Sequence, residues 1–568
     1  MAHGDVHGRR SAPEIATDTV VLLASAYLAA FANTAFWQRA LAGRPIGDWH
    51  TWSFAAAVAV ILVAVHFLVV VPFATRRTVR PLLVALVLLG VSANYFMQRY
   101  GIVLDAGMVR NVVHTDPREA AEFFTWDALA WICASVLPTA LLWKLRIRTR
   151  PMRSALARRT ASMAAAFMAA TCALLLVYQD LSALMRTHKT LRYTINPAGP
   201  LWSFGQLVAA DAHASKVPRD PPEPARRHPA AGRRKPTLLV VVVGETARAA
   251  NFSLNGYARP TNPELARLDV INFAHVRACG TSTEVSVPCM FSPFGRTDYD
   301  EVRIRRHESL LHVLSHAGFR VVWLDNQSGC KGVCDGLDYR DLSHESLPGI
   351  CSGGRCYDEI LSHELARLAE RASGDLVVVL HQLGNHGPAY FRRYPEELKR
   401  FTPACESEQL RDCSADEIVN AYDNAIAYTD RFLADIIGVL DRARARFDVA
   451  MLYVSDHGES LGEMGLYLHG LPYGIAPSEQ LLVPMLWWIP TESAADLGLD
   501  LACVRSRSTA EASHDNLYHS VLGLLDVDTP LYRKTRDLVA GCRAAPAQQQ
   551  AQHRAGASTS VAAARGIR

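Results

Sequence analysis

The chain has 568 residues, half of them hydrophobic and a fifth charged, and its 59 basic and 55 acidic side chains leave a formal charge of +4. That balance excludes an intrinsically disordered protein, which needs low hydrophobicity and high net charge. It also gives no electrostatic reason for a nucleic-acid partner, and the length allows several domains.

Long apolar runs fill the first third of the chain. They predict five membrane spans at 18–38, 53–75, 81–98, 126–143 and 160–180, each near the ~20 residues that cross ~30 Å of hydrocarbon. The second, FAAAVAVILVAVHFLVVVPFA, is uninterrupted, whereas the first is broken by polar residues. The first run is also too long for a removed signal peptide, and no small-residue cleavage site follows it. Residues 144–159 hold seven Lys/Arg, and Arg76, Arg77 and Arg80 form a second cluster. Both clusters are expected in the cytoplasm by the positive-inside rule. The N-terminus is then inside, and five spans carry everything after about residue 182 across the membrane. Residues 1–182 are read as the transmembrane domain.

Residues 183–236 are read as a bridging segment. Its end, PRDPPEPARRHPAAGRRKP at 218–236, is too rich in Pro and Arg to pack and is expected to be an extended linker. A catalytic domain is expected over 237–543 and a disordered, low-complexity tail over 544–568. Within 237–543, TLLVVVVGET, FRVVWLDN, DLVVVLHQLGNHG, DVAMLYVSDHGES and LLVPMLWWI are near-continuous apolar runs of strand length. Between them lie helical patterns such as ADEIVNAYDNAIAYTDRFLADIIGVL. Buried parallel strands with crossover helices produce this alternation, so the domain is predicted to be α/β.

Ten of the twelve cysteines follow residue 278. Close spacing pairs Cys279 with Cys289, Cys330 with Cys334, Cys351 with Cys356, and Cys405 with Cys413, as disulfides of an oxidising compartment. A zinc site is the competing reading of the CxxxC pair, but the other spacings do not suit four-cysteine coordination. Cys503 and Cys542 are available for a fifth bond, and Cys133 and Cys172 fall within spans as free thiols.

Three strand-like runs end in polar residues. Glu245 closes the first, His386 follows the third, and Asp456 and His457 close the fourth. Ligands of open α/β sheets bind outside the carboxyl ends of strands, and carboxylates with an imidazole gathered there suit zinc with one position left open. Singly, such a Glu is often a helix cap and such a His a hydrogen-bonded core residue. The segment CGTSTEVSVPCMFS, 279–292, offers Thr281, Ser282, Thr283 and Ser286 as hydroxyls that could ionise beside a metal and attack phosphorus. An ordinary N-cap loop explains the same composition.

GETARAANFSLNGYARPTNP, CGTSTEVSVPCMFS, DNQSGCKGVCD, GNHGPAYFRRYP and DHGESLGEMGLYLHG, in this order after five spans, resemble the phosphoethanolamine transferases of Gram-negative bacteria. That family includes lipid A enzymes and the mobile colistin-resistance enzymes, and the similarity runs from the first span to about residue 530. The resemblance implies an alkaline-phosphatase/sulfatase-like periplasmic domain on a five-helix inner-membrane domain. It further implies transfer of phosphoethanolamine from phosphatidylethanolamine to lipid A through a phospho-threonine, with polymyxin resistance as the result. By motif, Glu245, Thr283, Asp456 and His457 are the expected zinc ligands and Thr283 the nucleophile. His386 and His469 match substrate-pocket histidines that can hold a second zinc, and Ser328 and Lys331 match phosphate contacts. Asn111, Thr115 and Glu119 match positions that meet the lipid headgroup. Some relatives read Asn-Asn where this chain has Asn326-Gln327, which puts the polar contacts there in question. The chain is expected to act as a monomer without nucleic acid. Alternative acceptors are core heptose, Kdo, periplasmic glucan or glycoprotein. A phosphoglycerol transferase is the rival reaction, against which the CGTST segment and the paired cysteines argue.

Overall fold

The computed structural model describes residues 14–115, 117–148, 151–188, 190–214, 220, 222–228, 235–352 and 355–543. The expected tail at 544–568 and most of the linker at 218–236 lie outside the described residues, as does the side chain of Glu119. The chain divides into two compact units: Met1–Val113 with Phe123–Ala209, and His114–Glu122 with Ala210–Arg568.

The first unit is helical. Trp49–Phe73, Val79–Tyr100, Trp126–Lys144 and Met152–Ser182 are each long and apolar enough to cross a membrane. The helices α1 (Thr17–Phe31) and α2 (Thr34–Ala40) are bent by 56° at a short break, and count as a fifth span if the pair is one. The polar residues that interrupt this run in sequence explain the bend. Asn33 sits at the break and donates from Nδ2 to the carbonyls of Leu28 and Asn196. The backbone N–H of Ala35 is taken up by Asn94. Helices kink where side chains satisfy freed backbone groups, and in hydrocarbon those groups must be satisfied internally. Phe54, Val58 and Leu62 of α3 (Trp49–Val70) pack with Ala173 and Val177 of the 36-residue Met152–Thr187 helix. Two short helices between Val79–Tyr100 and Trp126–Lys144, namely Ala106–His114 and Pro117–Glu122, have no counterpart in the sequence reading.

The second unit is built on an eight-stranded sheet. Its strands are β1 (Thr237–Gly244), β2 (Ile271–Arg277), β3 (Arg320–Asp325), β4 (Asp338–Asp341), β5 (Leu376–His381), β6 (Asp448–Ser455), β7 (Leu482–Trp488) and β8 (Ala512–Ser513), in the order β8-β2-β7-β6-β1-β5-β3-β4. The strands β6, β1, β5, β3 and the edge strand β4 are parallel. Every residue of β1, β5 and β6 is buried, as a sheet covered on both faces requires. The run LLVPMLWWI becomes β7, which is antiparallel to both β6 and β2. An apolar run records that a strand is covered on both faces and not which way it points, so its direction is not readable from hydrophobicity. The helical pattern after Ser414 becomes Ala415–Ala443, opened by a Ser414/Glu417 capping box. The described residues of the Pro/Arg stretch do pack: Asp220 pairs with Arg306 and His307, and Lys235 donates to the Arg444 carbonyl. Arg226–Arg227 pairs antiparallel with Val527–Asp528, and Arg227 joins Asp375 in an ion pair while lying over the Phe319 ring. Local composition does not report such distant partners.

The four expected cysteine pairs are disulfides, Cys279–Cys289, Cys330–Cys334, Cys351–Cys356 and Cys405–Cys413, and Cys503–Cys542, left open by the sequence, is a fifth. Cys133 and Cys172 are free and exposed.

Candidate metal centre and active site

The site forms where the central strands end. Glu245 follows β1, and Asp456 and His457 follow its neighbour β6, whose Ser455 is in register with Gly244. All three side chains are fully buried, with donor atoms within 4.8 Å of one another. His457 Nε2 lies 3.3 Å from Glu245 Oε1 and 3.3 Å from Asp456 Oδ2. Its Nδ1 is 2.9 Å from the Gly458 carbonyl, which can only accept, so Nδ1 carries a proton. Neutral His457 therefore turns a lone pair toward two carboxylates. That arrangement is repulsive until a cation or a second proton occupies the space between them. Asp456 Oδ2 is buried without a hydrogen-bond partner, and one imidazole with hard carboxylate oxygens is a donor set that suits zinc. The residues fit a divalent metal.

Without a metal the triad shares protons instead. Burial opposes a charge on His457, but Asp456 and Glu245 outweigh it and push the imidazole up to about 9. Burial likewise raises the Glu245 carboxyl, yet the hydrogen bond and charge of His457 hold it well below the usual carboxylate range. Asp456 is raised, by burial and by the like charge of Glu245.

Thr283 opens the helix α4 (Thr283–Met290). Thr283 Oγ1 donates to Glu245 Oε2 at 3.0 Å and lies 3.4 Å from His457 Nε2. Two of the three rival hydroxyls are engaged elsewhere: Thr281 Oγ1 donates to the Leu471 carbonyl, and Ser286 Oγ accepts from Gly280 N–H, while Ser282 is the N-cap residue of this helix and makes no side-chain capping bond. Gln327 donates to Glu245 Oε2 at 3.1 Å, while Asn326 donates to Asp358 and the Cys356 carbonyl.

Two further histidines stand against the triad. The His469 ring centroid is 4.3 Å from that of His457 and 5.2 Å from that of His386. His469 Nδ1 faces Glu459 Oε2 at 2.8 Å, and Glu459 Oε1 accepts from Tyr390 at 2.6 Å. His386 Nδ1 faces the Gly387 carbonyl at 2.8 Å. In each of the three histidines Nδ1 is committed, which fixes the ring and leaves Nε2 as the nitrogen available for chemistry.

Lys331 sits inside the Cys330–Cys334 loop with φ at +51°. Its Nζ donates to Ser328 Oγ and the Ser328 carbonyl, and lies 3.9 Å from Glu284 Oε2. Asn111 belongs to the helical unit, within Ala106–His114, while Thr115 lies in the catalytic one.

Sequence reasoning missed Thr246 and Glu459 as contributors and left the contacts of Gln327 in question. Thr246 adopts φ +57°, an uncommon conformation for a β-branched residue. Its N–H donates to Asp456 Oδ1 and its hydroxyl to Glu245 Oε1. Strain of this kind concentrates at functional sites, and only the adjacency of Thr246 to Glu245 signals it in sequence.

A family model described as sulfatase matches residues 237–527, and one described as phosphoethanolamine transferase EptA/EptB matches 62–212. Phosphoethanolamine transferase EptA of Escherichia coli (strain K12) is 36% identical over 532 residues, covering 92% of this chain and 96% of that protein. Phosphatidylethanolamine transferase Mcr-1 of Escherichia coli is 35% identical over 540 residues, covering 93% and 97%. Among solved structures, the integral membrane lipooligosaccharide phosphoethanolamine transferase A from Neisseria meningitidis gives a TM-score of 0.89 at 34% identity. It covers 94% of this chain and 100% of that one.

Proposed function

The chain belongs to the phosphoethanolamine transferase family, and from that membership and the site geometry we propose that it transfers phosphoethanolamine from phosphatidylethanolamine to lipid A through phospho-Thr283. The observation that carries this reading is the Thr283 hydroxyl, 3.0 Å from Glu245 and 3.4 Å from His457, among four competing hydroxyls. Glu245, Asp456, His457 and Thr283 would hold the metal, taken as zinc, with His386 and His469 available to a second ion. A bound zinc ion supplies positive charge that favours the Thr283 alkoxide and screens the phosphoryl oxygens.

The first displacement forms a bond from Thr283 Oγ1 to phosphorus and breaks the bond from phosphorus to the glycerol oxygen. Diacylglycerol leaves with a proton. His469, backed by the Glu459 carboxylate, is the natural acid and then base. Ser328 and Lys331 face the phosphate, where the lysine charge offsets what gathers on the equatorial oxygens. In the second displacement an oxygen of lipid A attacks the same phosphorus, and Thr283 leaves and recovers its proton. Asn111, Thr115 and Glu119 are assigned to the lipid headgroup.

The active unit is placed in the periplasm of a Gram-negative cell, on inner-membrane helices, because donor and acceptor are both lipids. Adding an ammonium to lipid A lowers its negative charge, so cationic polymyxins bind less well.

Peptide mass spectrometry after incubation with phosphatidylethanolamine tests the reading. A phosphoethanolamine adduct is expected on Thr283, with Thr283→Ala losing both the adduct and diacylglycerol release. An adduct on Thr281 or Ser286, or full turnover by Thr283→Ala, refutes the assignment. Expression in a susceptible host should add phosphoethanolamine to lipid A and reduce polymyxin sensitivity. Unchanged lipid A would redirect the proposal to core heptose, Kdo, glucan or glycoprotein.

A further inference from the structure

One short piece of chain beside the nucleophile is held at both ends. His114–Glu122 belongs to the catalytic unit although the residues before and after it belong to the helical one. At its start, His114 Nδ1 lies 3.1 Å from Glu284 Oε1. Glu284 directly follows Thr283, is 5% exposed, and takes Arg305 on the same oxygen at 2.8 Å. At its end, Glu122 is 1% exposed and both of its oxygens are in ion pairs, one with Arg355 and the other with Arg393 at 2.7 Å. Arg393, itself 2% exposed, donates from Nε to the backbone oxygen of His386 at 2.5 Å. Glu122, Arg355, Arg393 and His386 line one cavity with Gln327 and Ser328.

The chemistry of that cluster is asymmetric. Two guanidiniums share one carboxylate, and a buried guanidinium cannot shed its charge by losing a proton. Arg393 therefore keeps its place only while Glu122 does, and charge-assisted bonds link segment 114–122 to the loop that carries His386. Of this lining, Gln327 reaches the metal candidates, donating to Glu245 Oε2 at 3.1 Å, whereas the ion pairs of Glu122 run to Arg355 and Arg393.

We propose that Glu122 is a positioning residue, which fixes segment 114–122 as a wall of the donor-headgroup pocket and holds the His386 loop in register with it. Removing its charge weakens capture of phosphatidylethanolamine and leaves the chemical step at Thr283 largely intact. The inference rests on the reaction proposed above. Glu122 acts through Arg393 and touches no reacting atom.

The test uses the full-length protein in mixed micelles with graded phosphatidylethanolamine, reading diacylglycerol release. Glu122→Gln is expected to raise the apparent KM at least tenfold with kcat within threefold, and Glu122→Asp, which keeps the charge, to recover most of the loss. Hydrogen exchange on the same samples should show 114–122 and 383–393 losing protection together. Unchanged KM, or a fall in kcat alone, overturns the proposal, as does loss of protection across the whole sheet. Should the wild-type protein release no diacylglycerol, the proposed reaction fails and exchange alone decides. Paired loss of protection then upholds the clamp, and unchanged exchange overturns it. If Glu122→Gln does not fold, Arg393→Lys, which keeps charge but gives up the planar fork, is read by the same outcomes.

Discussion

Gly458 stands between His457 and the buried carboxylate of Glu459, where a Cβ would lie 2.0 Å from the Glu479 carbonyl oxygen and 3.2 Å from Arg248 Cβ. The overlap is with backbone, so an added methyl group has to move the loop. Gly458→Ala is expected to cost about 1–3 kcal/mol, as overpacking does, and to shift Asp456 and His457 away from Glu245. Added zinc should raise the melting temperature of the wild-type protein, because a ligand of the native state stabilises it by mass action. The variant should lose most of that rise, and an equal rise in both proteins would refute the coupling. Glu245, Asp456 and His457 were legible in the sequence because each ends an apolar strand run. Thr283 was singled out only by resemblance, since Thr281 and Ser286 offer the same chemistry until the fold engages them elsewhere. Glu122 was not legible at all. Its partner Arg393 is 271 positions away, and no local pattern connects a loop between spans to a residue beyond β5.

At the scale of elements, His514 ties the nucleophile loop to the sheet. Its Nδ1 accepts the Cys279 N–H at 3.0 Å, and its Nε2 donates to the Ser455 carbonyl at the end of β6 at 2.9 Å. The ring is neutral in the fold, because burial drives its pKa down to about 4 against the support of the Ser455 bond. The unfolded chain takes up a proton near pH 6.5. The neutral-state stability is thus fully present above pH 6.5 and is lost as pH falls from there toward 4. At pH 5 the loss from this one group is about 2 kcal/mol. Denaturant unfolding at pH 7 and pH 5 checks it: His514→Gln should shrink the difference between the two by roughly that amount, and an unchanged difference would show that His514 does not titrate so. The same scale shows what hydrophobic runs leave out. They located β1, β3, β5, β6 and β7 and the helix Ala415–Ala443, because burial on both faces and a 3.6-residue period are written in composition. They did not give β7 its direction, nor mark the charged strand β4, whose residues alternate between half-buried and exposed.

The molecule as a whole combines a helical unit, recognisable from its apolar runs, with a catalytic unit whose cysteines suit an oxidising compartment. The bend between Thr17–Phe31 and Thr34–Ala40 falls in the run that polar residues interrupt. Orientation remains a matter of charge: residues 144–159 and the Arg76–Arg77–Arg80 cluster are the basic loops. A phosphatase reporter fused after residue 190 is expected to be active in the periplasm, and one fused near residue 150 inactive. The reverse pattern would overturn the topology.

The catalytic unit is discontinuous in the chain, since His114–Glu122 is separated from Ala210–Arg568 by the last stretch of the helical one. A truncated protein that starts after residue 210 would keep the sheet, the metal ligands and Thr283, yet leave Glu122 behind. Arg355 and Arg393 would then face each other with no carboxylate between them, in a position that cannot lose its charge. Such a fragment should be sensitive to anions, which could fill the gap. A free peptide carrying residues 112–124 is its missing part, and would be expected to dock and restore what the cut removed.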